Sequence, residues 1–352
     1  MTLRARLLGL ALVAACGPSK GTSTPPPPLE TTAADTAQAS EAESPSADPP
    51  ALDDAARHAT VEGVANALED YVFADVAAAM QARIRAERDA GHYDALTDGK
   101  QLASRLTDDL RDVSHDKHLG IHYSVEVLPP EPESDQPTPE QIEQYRAEVT
   151  REGYGIASVE VLEGNIGYVD VRLFHPVELV EDGITEAMTK VADTKALIVD
   201  LRHNHGGDPA TVAFMCSYLF GKKKVHLNDL YYRHRNETTE YWTNPSVPGK
   251  HFGKDKPVYV LISGETFSGG EEFANNLREL KRATLIGETT GGGAHPVDGT
   301  RVDDHFVAIV PVGRAINPIT KTNWEGTGVQ PHVAVPASEA LDRAKELIAA
   351  KR

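Results

Sequence analysis

Three times in the second half of the 352-residue sequence, a short apolar run ends in a turn dense with glycine. Ala196–Val199 leads into Asp200-Leu201-Arg202-His203-Asn204-His205-Gly206-Gly207. Val258–Ile262 leads into Ser263-Gly264-Glu265-Thr266-Phe267-Ser268-Gly269-Gly270-Glu271. Thr284–Ile286 leads into Gly287-Glu288-Thr289-Thr290-Gly291-Gly292-Gly293-Ala294-His295. Such runs, bounded by turn residues, read as buried strands, and the helical segments Ile184–Ala192, Pro209–Phe220 and Gly269–Leu280 stand among them. That alternation predicts an α/β core with largely parallel strands. Ligands in such folds sit at the carboxyl ends of strands, so the three turns are candidates to converge on one site. Glycine lets the backbone approach a ligand closely and aim its amides at an anion.

Upstream the periodicity is helical. Ala55–Leu68 and Ala74–Asp89 carry apolar residues three and four apart, and Leu102, Leu106 and Leu110 continue the spacing. Leu119–Leu128 reads as a strand, residues 129 to 139 as a loop of proline and acid, and Gln141–Arg151 as a short helix. Gly155–Leu162 and Ile166–Leu173 alternate around Glu163-Gly164-Asn165, as paired strands do. Val302–Val310 is a later strand and Ser338–Ala350 a closing helix.

The extreme N-terminus has a different character. Two arginines in the first six residues precede the apolar run Leu7–Ala15, and Cys16 follows. The run is too short to span a bilayer, which takes roughly 20 apolar residues, so it reads as a secretory signal. Leu12-Val13-Ala14-Ala15-Cys16 resembles a bacterial lipobox, which implies acylation of Cys16. The following Pro/Ser/Thr/acid-rich stretch lacks the apolar surface to order itself and reads as a tether. The expected organisation is a lipoprotein signal over 1–15, a tether over 16–52, a helical domain with a strand over 53–128, a loop over 129–153 and the α/β core over 154–352. The expected location is the bacterial cell envelope, lipid-anchored at the outer membrane and facing the periplasm or the cell surface.

The net charge of −18 argues against a nucleic-acid partner. After Cys16 only Cys216 remains, inside the apolar run Val212–Phe220, where a buried structural thiol is expected and no disulfide framework can form. The glycines of 291–293 lack the motif and strand-to-helix context of a nucleotide cradle. His115, His118 and His122 crowd together ahead of a strand, but residues three apart on a strand face opposite sides, so no metal site is expected.

Ser268 is the most informative residue. It follows a strand and opens a helix, where free amides and the positive end of the dipole gather. That setting suits a nucleophile whose adduct develops an oxyanion, and it equally suits a plain N-cap. A G-x-S-x-G elbow is absent. Arg202 is open to two readings, a fork for a substrate carboxylate or a partner for Asp200. His205 and His295, beside the glycine turns, are candidates to line a substrate cleft.

In their order and spacing, the three turns resemble the C-terminal processing (tail-specific) peptidase family, with its tricorn and interphotoreceptor retinoid-binding protein-like branch. Ser268-Gly269-Gly270-Glu271 is similar to the family's Ser-Ala-Ser-Glu nucleophile stretch. The tail-specific members' catalytic lysine falls 25 positions further on, at Gly293 here, so the lysine is gone. Lys117-His118-Leu119 resembles the tricorn-like histidine segment, and Glu325-Gly326-Thr327-Gly328-Val329-Gln330-Pro331 resembles that branch's glutamate segment. The resemblance implies a ClpP/crotonase-like α/β core with a small helical N-terminal domain and no PDZ insertion. It also implies a serine peptidase with Ser268 as nucleophile, His118 as base and Glu325 as its orienter. The oxyanion hole would use the amide of Gly269 and that of Gly206 or Gly207. No cofactor or metal is implied, and the partner is a protein or peptide substrate. The same fold also serves as a non-catalytic binding module for apolar ligands or peptides.

Overall fold

The computed structural model describes residues 51–129 and 138–350. The signal, Cys16 and most of the tether lie outside the described residues. Three helices open the structure: α1 (Asp54–Ala67), α2 (Ala74–Asp89) and α3 (Gly99–Ser114). Asp53 caps α1 through the amide of Ala56, and Asp98 caps α3 through that of Gln101. Each cap satisfies a donor the helix cannot. Their apolar stripes meet in a core in which Val64, Leu68, Met80, Ile84, Leu102 and Leu106 are fully buried. Buried Asp109 accepts from Tyr93, Arg105 and Arg83, which ties α2 and the segment after it to α3.

α3 stops where His115 turns left-handed at φ 55°. A short turn then enters β1 (Gly120–Tyr123). The strand is shorter than its apolar pattern suggests, because only these residues find a partner strand. α4 (Pro139–Arg151) begins with a reciprocal Thr138–Gln141 capping box and a proline in its first turn.

The core follows in alternating order: β2 (Ile156–Leu162), β3 (Ile166–Val171), α5 (Val177–Val191), β4 (Ala196–Asp200), α6 (Pro209–Ser217), β5 (His226–Tyr232), β6 (Glu237–Trp242), β7 (Val258–Ile262), α7 (Gly269–Glu279), β8 (Thr284–Gly287), β9 (Val297–Arg301), β10 (Phe306–Pro311), β11 (Gly313–Ile316), β12 (Val333–Ala334) and α8 (Ala340–Ala350). A six-stranded sheet runs β12-β8-β7-β4-β3-β2, parallel except for the antiparallel β2–β3 hairpin. β3, β4 and β7 are buried along their length, as their largely apolar sequences require.

Two small antiparallel sheets, β1-β10-β9 and β11-β5-β6, complete the molecule. The first is a joint, since β1 leaves the helical module and pairs with β10 of the core, Gly120 opposite Ile309. Arg233 reinforces it by donating to the backbone carbonyls of Tyr71 and Glu69. Among the described residues no helix is long and apolar enough to cross a membrane.

Leu106 is fully enclosed in the helical core. Leu106→Ala is expected to cost about 2–5 kcal/mol, read from the midpoint of denaturant unfolding.

Candidate active site

The turns after β4, β7 and β8 meet at the sheet's carboxyl edge, as their positions in the sequence suggest. Ser268 ends the second of them with φ 49° and ψ −117°. Ser268 is the N-cap of α7, with Glu271 at N3 closing a capping box, yet its dihedrals are not the extended ones usual for a cap. A non-glycine residue held there stores about 1–3 kcal/mol of strain and persists only where its surroundings fix it. The surroundings are identifiable. Its amide donates to Glu271 Oε2 at 3.0 Å, and the preceding Phe267 amide donates to the Asn204 carbonyl at 2.9 Å. A Cβ on Gly206 would lie 2.7 Å from Ser268 Cβ, so the first turn packs directly on the serine.

Asn204, fully buried, holds that first turn. Its Nδ2 donates to the Val171 carbonyl at 3.0 Å, and its Oδ1 accepts the Gly206 amide at 2.9 Å. The Gly206 amide is therefore occupied. Among the described residues no partner is recorded for the amides of Gly207 and Gly269, and a Cβ on Gly269 would stand 3.0 Å from Gly207 N. Two free amides thus lie side by side next to Ser268.

Glu271 joins the second turn to the third. Its carboxylate accepts the amides of Gly292 and Gly293 at 2.7 and 2.8 Å, together with the Thr290 hydroxyl and the Ser268 amide. Burial pushes this carboxyl up to about 7, with the four donors working against the rise.

His118 arrives from the other module, on the turn between α3 and β1. Its side chain is 8% exposed and rests against the Phe267 ring, centroids 4.5 Å apart. Neither ring nitrogen has a hydrogen-bond partner in the protein. Burial lowers its pKa to about 4, so the ring is neutral near pH 7. A Cβ built on Gly293 would meet His118 Cε1 at 2.5 Å and Phe267 Cζ at 2.4 Å. The histidine ring occupies the space that any side chain at position 293 would enter.

Carboxylates stand behind the ring. Asp116 Oδ1 accepts the His118 amide at 3.0 Å and lies 3.9 Å from His118 Nδ1. Asp116 Oδ2 pairs with His295 Nδ1 at 2.6 Å and with the Tyr71 hydroxyl at 3.2 Å. Burial works to raise the Asp116 carboxyl, but the His295 hydrogen bond, the His295 and His118 charges and the His118 amide together hold the group low. Glu325 Oε2 accepts the Ala294 amide at 2.6 Å, whereas buried Oε1 has no partner. Burial, then the Asp116 charge, raises this carboxyl above its ordinary range. One donor atom from each of Asp116, His118 and Glu325 lies within 4.8 Å of the others. Three such groups can approach a cation, but both Asp116 oxygens already accept hydrogen bonds.

Ser268, His118, His205, His295, Gly207 and Gly269 line one cleft. Arg202 does not. Its guanidinium is forked onto Asp200 and donates to the Ala337 carbonyl at 2.8 Å. Cys216 is fully buried, and its burial pushes the thiol well up. Asn204, Asp116 and the anchoring role of Glu271 were missed by the sequence reading. The Asn and Asp side chains sit in turns that carry no periodic signal.

Residues 165–335 match the model of peptidase family S41, and residues 54–152 match that of the N-terminal domain of peptidase S41 in eukaryotic IRBP. The chain belongs to peptidase family S41. The fold is similar to that of a lipoprotein from Streptococcus agalactiae, 13% identical, with a TM-score of 0.54 over 86% of this chain and 98% of that one. It is similar also to that of the tricorn protease, 13% identical, with a TM-score of 0.52 over 84% of this chain and 36% of that one. A photosystem II D1 C-terminal processing protease is 21% identical, with a TM-score of 0.41 over 54% of this chain. The chain spans 50% of that protease's length.

The packing at Gly293 yields a test. Gly293→Ala is expected to cost about 1–3 kcal/mol by overpacking, read by thermal or denaturant unfolding. The same change made in a His118→Ala background should cost less, and strict additivity of the two would refute the contact.

Proposed function

We propose that the chain is a serine endopeptidase or carboxy-terminal-processing peptidase of exported proteins, working through Ser268, His118 and Glu325. The observation that carries this reading is the pairing of a strained Ser268 with a buried, neutral and unbonded imidazole in the same cleft. Ser268 Oγ attacks the scissile carbonyl. His118 takes the hydroxyl proton and returns it to the leaving amine. The amides of Gly207 and Gly269 receive the oxyanion, since that of Gly206 is held by Asn204. Glu325 is the orienter because its Oε1 is free, whereas both oxygens of Asp116 are engaged.

No hydrogen bond joins Ser268 to His118 at rest, and such bonds often tighten only around substrate. The export and anchoring part of the proposal rests on Cys16 and the apolar run before it. Palmitate incorporation that is lost in Cys16→Ala is the expected outcome for the full-length chain expressed in a bacterial host.

A fluorophosphonate probe tests the chemistry. The wild-type domain should label, and both Ser268→Ala and His118→Ala should lose labelling by about 10³-fold or more. A folded wild type that never labels would turn the reading toward a binding module for apolar ligands.

The pH profile is a separate check. The base must be neutral, and His118 has its pKa lowered to about 4 by burial. Labelling should therefore persist as pH falls through 6.5 and disappear only toward 4, with folding followed by circular dichroism. An acid limb at 6.5 would point to a different, solvated histidine.

A further inference from the structure

A second cavity opens beside the cleft, with a volume of about 370 Å³ against about 150 Å³ for the cleft itself. His295 and Ala315 line both, so the two are neighbours across a shared wall. In a chain of net charge −18, this cavity carries two cations. Arg314 comes from β11 and Lys321 from the turn that follows it, and both residues are exposed. The β11–β5 register sets Arg314 opposite Tyr231, and its guanidinium lies over the Tyr231 and Phe73 rings, 5.5 and 6.0 Å from their centroids. Ring contact restrains the plane of the fork and leaves its N–H donors without a hydrogen bond or ion pair among the described residues.

Lys321 is held from the other side. Asn317, 1% exposed, accepts the amides of Ile319 and Thr320 on Oδ1 and that of Lys321 on its carbonyl, at 2.9, 3.1 and 2.9 Å. Lys321 is left-handed in that turn, φ 60°, a conformation uncommon outside glycine. Its ammonium likewise has no hydrogen bond or ion pair among the described residues. Glu325 is the one acid among the described residues that line the cavity, and its oxygens are committed elsewhere. Oε2 accepts the Ala294 amide at 2.6 Å, and Oε1 is buried.

Resting on the peptidase reading above, we propose that Arg314 and Lys321 form a subsite that holds a carboxylate of the substrate while Ser268 attacks a bond in the adjoining cleft. A carboxylate is the peptide anion whose two oxygens match the guanidinium fork, and hydrogen bonds between charged partners are roughly twice as strong as neutral ones. The carboxylate belongs either to the substrate's own C-terminus or to an aspartate or glutamate side chain. The apolar walls, Phe73, Ala315 and Ile316, lower the local dielectric and strengthen the attraction of two cations for such a group. The shared wall gives the subsite a consequence for where the chain is cut. The span from the cavity to Ser268 sets how many residues separate the held carboxylate from the cleaved bond.

The test digests a proteome-derived peptide library with the wild-type chain, identifies the cut bonds by mass spectrometry, and labels the same preparation with the fluorophosphonate probe. Cuts at a fixed number of residues from peptide C-termini identify the α-carboxylate as the ligand. Cuts with aspartate or glutamate at one fixed internal position identify a side chain. The best sequence is then remade as two internally quenched peptides, one with the carboxylate and one with a carboxamide in its place. The carboxylate form should exceed the carboxamide in kcat/KM by about 10-fold or more. That ratio should fall by about 5-fold or more in Arg314→Gln and in Lys321→Gln, and added salt should lower it in the wild type. Both positions are exposed, so the two variants are expected to fold. If Ser268 labels but no bond is cut, or the cut bonds show no carboxylate at a fixed distance, or the ratio survives both substitutions, the subsite is overturned and Ser268 stands as nucleophile. If nothing labels and nothing is cut, the subsite and the peptidase reading are both overturned.

Discussion

The Glu271 carboxylate receives the amides of Ser268, Gly292 and Gly293 and the hydroxyl of Thr290, and so joins two turns that leave neighbouring strands of the sheet. Left unpaired, each of those buried donors would cost about 1–3 kcal/mol. That is enough to hold Ser268 at its unfavourable dihedrals. The same group fixes where Gly293 stands, and therefore how much room remains in front of it. Placement of the serine and the opening for His118 are consequences of one interaction.

The second dependence is on the helical module. α3 must end at Ser114 for His115 to turn left-handed and set His118 in the cleft with Asp116 buried behind it, and β1 must pair with β10 to keep them there. Lys117 then donates to the Gly291 carbonyl at 2.6 Å, and Asp116 pairs with His295. These contacts join residues 174 and 179 positions apart. The site is thus built across two modules and exists only when they are docked.

This division explains what was legible in the sequence. The buried strands, the helices of 54–114 and the glycine turns announce themselves by period and composition, and each lies close to its expected range. The β5–β6 hairpin, β9 and β11 were not read, because polar residues interrupt their alternation and β6 is mostly exposed. Val302–Val310 looked like one strand, yet Asp303 binds the amides of His305 and Phe306 and turns the chain before β10. Ser268 was legible as a residue between strand and helix, but its dihedrals were not. His118 and Glu325 came forward only through family resemblance, since nothing local in sequence brings position 118 near 293.

On the proposed reading the base is the histidine at 118, where the family resemblance would put a lysine at 293. A lysine at 293 would have to extend into the volume now filled by the His118 and Phe267 rings, so the two bases exclude one another sterically. They also ask different things of the protein. An ammonium becomes a usable base only when desolvation strips its proton, and then no counter-charge is wanted beside it. An imidazole buried here is already neutral, and its difficulty is the reverse: protonation during attack creates a cation in a site that disfavours one. A carboxylate nearby would offset that difficulty, and one oxygen of Glu325 lies within 4.8 Å of a His118 ring nitrogen. On that reading, the glycine at 293, the histidine at 118 and the glutamate at 325 belong together.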